Sequence, residues 1–178
     1  MLINEKGINA AIERRQNEDA QKIKDNKKFL TDIVKRMASF ETVLHDIIDT
    51  FNYCRSHKID DLLITTFEAN NVKVNLGLDI ATGKYDFIEL ISIVNGINVR
   101  WWPDEKIILI KRTSEISGLS CKLEARLVND DNLLFVDTIN YIIKTMLSEP
   151  IVKNFLTEIP NIITKSIDIM YNKLNSIK

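Results

Sequence analysis

His45, Cys54, His57 and Cys121 are the only imidazoles and thiols in this chain, so any metal or nucleophile chemistry of that kind must draw on them. His45 and Cys54 are nine residues apart, which on a helix puts them on opposite faces. Only Cys54 and His57, three apart, converge in the manner of zinc ligands. Neither cysteine lies in a recognisable catalytic setting, and no Gly-x-Ser-x-Gly elbow occurs. Five glycines scattered at 7, 77, 83, 96 and 118 cannot build a phosphate-cradling loop. The expectation is no metal and no cofactor, two reduced structural thiols, a partly buried structural His45 and a surface His57.

Carboxylates offer a second kind of chemistry. The adjacent pairs Asp60-Asp61 and Asp130-Asp131 sit where turns and helix caps favour Asp. Asp79, Asp86 and Glu89 fall on or near neighbouring strands. Asp79 and Glu89 are spaced to face each other across a hairpin, where two carboxylates hold a cation or share a proton.

Nucleic-acid binding would rest on Arg14, Arg15, Lys22, Lys24, Lys27, Lys28, Lys35 and Arg36, which are offset by Glu13, Glu18, Asp19, Asp25 and Asp32. A basic arm without interleaved aromatics is a slight footprint for phosphate, and a solvated helix face explains the same charges. Both tryptophans lie in Arg100-Trp101-Trp102-Pro103. Consecutive strand residues point to opposite faces, so one tryptophan enters the core and the other is offered to a partner or to a second covering layer.

The elements that must position these residues follow from hydrophobic period. Between residues 8 and 76 there is no glycine or proline, and Leu30, Ile33, Met37, Phe40, Leu44, Ile47 and Phe51 recur at steps of three and four. This predicts helix over most of 8–56, its stripe wide enough for core packing. The charged stretch 13–28 is a solvated helix extension or an arm, so the chain divides into 1–28 and one α+β domain over 29–178. After Asp60-Asp61 the period changes to two: Val72, Val74, Leu76, Leu78 and Ile80 alternate with polar residues. Residues 87–94 and 97–102 flank Asn95-Gly96, which predicts a hairpin closed by a two-residue turn of type I′. Further strands are expected at 62–67, 106–112 and 119–127, making an antiparallel meander of five or six. Strands 87–94 and 107–110 are apolar on both sides, as when each face of a sheet is covered, by helices or by another subunit. Asp131 or Asn132 is expected to cap a helix over 133–148, and Pro150 and Pro160 each to begin a further one. The last carries Ile163, Ile167, Met170, Leu174 and Ile177 at helical spacing.

With 178 residues, 45% of them hydrophobic, the chain can bury one sizeable core without disulfides. Its net charge of -1 arises from cancellation, so no bulk field draws it to nucleic acid or anionic membrane. No run approaches a membrane span and no secretory leader is recognisable, so a cytoplasmic location without membrane contact is expected. Twenty-eight Ile, 17 Lys and 17 Asn point to an AT-rich genome, as in many bacteria and phages.

With no catalytic constellation in view, the expected function is non-enzymatic protein binding, of the inhibitor, immunity, adaptor or chaperone kind. Met37, Leu44, Phe51, Arg100, Trp101 and Trp102 are the expected contact residues. The stripe over 30–51 is longer than that over 163–177, so self-association as a homodimer through the excess is also expected. Nucleic-acid association through the basic arm is the alternative. An enzyme or small-ligand binder with a pocket between the sheet and the C-terminal helices is the third reading.

Overall fold

The computed structural model describes residues 4–59, 65–114 and 117–176. The Asp60-Asp61 pair, residues 62–64 of the expected first strand and Ile177 lie outside them. In order come α1 (Glu5–Ala38), α2 (Glu41–Ser56), β1 (Thr66–Ala69), β2 (Val72–Asp79), β3 (Lys84–Ser92), β4 (Ile97–Trp102), β5 (Ile107–Thr113), β6 (Ser120–Asn129), β7 (Asn132–Val136), α3 (Asn140–Met146) and α4 (Pro150–Asn175). The strands pair in sequence order as one antiparallel meander, so the α+β class holds with seven strands instead of five or six.

The N-terminal helical region is two helices, not one. Ser39 turns its hydroxyl onto the Arg36 carbonyl at 2.6 Å, and the Phe40 amide closes a short turn on Met37 at 3.0 Å. Side-chain competition for backbone carbonyls of this kind weakens helix continuation. Leu44 restarts the ladder on Phe40, and the redirected α2 packs on β3 and α4 while α1 packs on α3 and α4. Residues 5–18 of α1 are all exposed, whereas Asp19, Ile23 and Lys27 are half-buried and Asn26 is buried, so only the first part of the charged stretch 13–28 is a solvated helix extension. Asn26 then fixes α1 to the end of α3, its amide donating to the Ile143 carbonyl at 3.0 Å and the Ser148 hydroxyl at 3.1 Å.

The core lies between these helices and one face of the sheet. Val74, Leu90, Val99, Ile110 and Leu123 stand in register across five strands, and each is at most 1% exposed. The stripe residues Leu30, Ile33, Met37, Leu44, Ile47 and Phe51 are buried against them. The unmatched length that motivated a dimer through 30–51 is therefore covered within the chain.

Residues 133–136 are strand, not helix. The polar stretch 129–132 is the turn of a β6–β7 hairpin, Asn129 opposite Asn132, and it returns Leu133 and Phe135 to the core face. Pro150 begins α4 as expected, but Pro160 sits inside that helix. Leu156, Ile159, Ile162 and Ile163, each at most 1% exposed, anchor the turns on either side of the proline, so packing outweighs the missing N–H. The β3–β4 loop has four residues, 93–96, because Ser92 pairs with Ile97. Gly96 alone of the Asn95-Gly96 pair takes positive φ, at 62°, so the turn is not the predicted two-residue type I′.

Candidate functional site

Among the described residues no helix covers the second face of the sheet, so of the two covers the apolar strands predicted, helices or another subunit, the first is not found. Period-2 alternation sends every other residue there. One row, fixed by strand pairing, reads Asn75, Glu89, Arg100, Leu109, Glu124 and Val136; the next reads Lys73, Ile91, Asn98, Lys111 and Lys122. Toward the opposite end lie Phe87 and Trp102, ring centroids 5.0 Å apart, with Ile107 beside them. Phe87, Ile91, Trp102, Ile107 and Leu109 are half-buried.

Glu89 is the polar centre of this face. Its side chain is 13% exposed and accepts hydrogen bonds from Arg100 Nε at 2.6 Å, Asn75 Nδ2 at 3.2 Å and Asn98 Nδ2 at 3.3 Å. Burial by itself would raise its pKa, but the Arg100, Asn75 and Asn98 donors together hold the carboxyl below its ordinary range. The Arg100 guanidinium also lies over the Phe87 ring, 5.2 Å from its centroid.

The end of the face nearest the β2–β3 and β4–β5 turns is acidic. A bulge pairs Gly77 with Phe87 and Leu78 with Tyr85, leaving Asp86 without a register partner. Asn52 on α2 pins the strand there, accepting from the Tyr85 amide at 2.7 Å and donating to the Tyr85 carbonyl at 2.8 Å. A recess of about 570 Å³ follows, lined by Asp79, Asp86, Glu105, Glu124, Arg100, Phe87 and Trp102 among others. Asp86 is held above its ordinary pKa by burial first, then by the negative charges of Asp79, Glu105 and Asp104. Its Oδ1 is screened from solvent and accepts no hydrogen bond among the described residues. A surface of aromatic rings beside unneutralised carboxylates can hold a cation.

Of the residues expected to touch a partner, only Arg100 and Trp102 are on this face. Trp101, Met37 and Leu44 are 0% exposed and Phe51 is 2% exposed, so the chain itself already covers them. Asp79 and Glu89 do not face each other: Asp79 pairs with Lys84, and Glu89 with Asn75 and Arg100. His45 is half-exposed, not packed in the core, and bridges Asp104 at 2.9 Å and Asp49 at 3.2 Å. His57 stacks on Tyr53 at the end of α2, Cys54 is buried and Cys121 exposed. Among the described residues, no three His, Cys, Asp or Glu side chains are grouped for a metal ion. No helix among them is long and apolar enough to cross a membrane. Phe87, Glu105, Glu124, Ile107 and Leu109 escaped notice in the sequence, because only strand register shows that they share a face.

Comparison of the chain with protein-family models, curated proteins and solved structures gives no match to any of them.

Proposed function

We propose that this is a non-enzymatic protein-binding protein whose contact surface is the helix-free face of the sheet. The observation that carries this reading is the half-buried set Phe87, Ile91, Trp102, Ile107 and Leu109, on a seven-stranded sheet whose helices, among the described residues, pack on the other side. Aromatic anchors beside an arginine are the usual energetic centre of an interface. Strand pairing also holds them in place at small entropic cost.

The test is affinity capture from cells with wild type, Trp102→Ala, Leu109→Lys and the helix-side control Tyr141→Lys, with folding verified by circular dichroism. Captured proteins are expected to be lost with the first two substitutions and kept with the control. Undiminished capture by Trp102→Ala and Leu109→Lys overturns the reading. Light scattering on the same variants reads out self-association through the same face.

A second reading, association with nucleic acid, is favoured by the exposed stretch 5–18 of α1 with Arg14 and Arg15 on it. Phosphate contacts weaken steeply with added salt, whereas an apolar sheet interface does not, so a salt titration separates the two.

A further inference from the structure

We propose that the segment docked on the helix-free sheet face is basic, and that it places a lysine or arginine side chain against Trp102 and among the carboxylates of Asp79, Asp86 and Glu105. This rests on the protein-binding reading above and adds the chemistry of the partner.

Charge complementarity selects this occupant. Asp79, Asp86, Glu105 and Glu124 line one end of the face, and none of them is in an ion pair among the described residues. The one cation in that lining, Arg100, is already bonded through Nε to a fifth carboxylate, Glu89. An incoming ammonium or guanidinium therefore supplies the ion-pair partner that Asp79, Asp86 and Glu105 lack among the described residues. An acidic segment would add a like charge to this crowd, which costs association strongly.

The aromatic side of the recess fits the same occupant. Phe87 is already covered by Arg100, while Trp102 beside it has no cation over its ring among the described residues. Tryptophan is the best of the aromatic partners for a cation. At the other end of the face Lys73, Lys111 and Lys122 reverse the sign. Phe87 and Ile91 are four residues apart on β3, which spans about 13 Å. A docked strand with its basic residue at the acidic end is thus favoured in one direction along the sheet.

The probes are a short fluorescent peptide bearing arginines among glycine and serine, and the same peptide with glutamates in their place. Both are titrated against the full chain as wild type and as Asp86→Asn/Glu105→Gln, a nearly isosteric change whose folding is checked by thermal melting. The arginine peptide is expected to bind wild type saturably and the doubly substituted chain at least about tenfold more weakly. The glutamate peptide is expected not to bind. Absent binding of the arginine peptide, equal affinity for the substituted chain, or equal affinity of the two peptides overturns the proposal. In cell capture, loss of partners with Trp102→Ala but not with Asp86→Asn/Glu105→Gln rejects the basic segment and keeps the binding face. Loss with neither rejects the face itself.

Discussion

The ring of Phe87 lies on Gly77, so closely that a Cβ added to the glycine would stand 2.0 Å from two of its ring atoms. Gly77 is therefore the floor beneath Phe87 on the open face, and its missing side chain lets that ring pack against Trp102 and under the Arg100 guanidinium. Gly77→Ala must swing that ring out. A destabilisation of about 1–3 kcal/mol is expected, together with a changed near-ultraviolet circular dichroism signal from Trp102. An unaltered spectrum and melting curve would show that the ring is not held there.

Glu89 and Arg100 form the best-shielded ion pair of the described residues, and removing one partner strands the other. Arg100→Met is expected to cost about 2 kcal/mol or more at neutral pH, with part of this recovered in Arg100→Met/Glu89→Gln. The folded-state pKa of Glu89 lies below its ordinary value. Its contribution is then present above the unfolded pKa and lost as pH falls through the folded one. Denaturant melts of the four-member cycle should thus show the gap between wild type and Arg100→Met narrowing toward acid pH. A gap independent of pH, with no recovery in the double variant, contradicts the assignment.

Gly96 combines a φ of 62° with an added-Cβ distance of 2.5 Å to the Thr113 carbonyl, and its own carbonyl accepts the Thr113 amide at 2.8 Å. Gly96→Val is expected to cost on the order of 2 kcal/mol or more, because backbone strain and the clash add. Gly83 has a similar φ of 69° with nothing near its Cβ position. Gly83→Asn should therefore cost far less, since Asn tolerates this region. Equal losses at the two glycines would remove the Thr113 clash from the explanation.

His45 joins α2 to the β4–β5 turn, and its pKa is raised chiefly by the charge of Asp104 and its hydrogen bond, then by Asp49. A raised folded-state pKa means stability fully present below the unfolded value of about 6.5 and lost as pH rises through the folded value. The pair is exposed and screened, so the effect is small. Thermal melts should show wild type above His45→Gln near about pH 5.5 and converging with it near about pH 8. A difference that grows with pH would mean the histidine acts through its neutral form.

Hydrophobic period alone determined the class of this fold. The steps of three and four from Leu30 to Phe51 and from Ile163 to Met170 are helical, and the alternation from Val72 to Leu76 and from Cys121 to Leu127 is stranded, because each local period follows from backbone geometry. That Trp101 and Trp102 point opposite ways was legible for the same reason. Tertiary structure decided what period leaves open. Leu133, Leu134, Phe135 and Val136 form a short apolar run compatible with helix or strand, and only the free edge of β6 made it a strand. Packing by the residues around Pro160 carried α4 through a residue that ordinarily begins or ends a helix. The candidate site was the least legible, since Phe87, Trp102, Glu105 and Asp86 share no spacing. They meet because strand register and one bulge bring them together, and register is fixed by burying the opposite face.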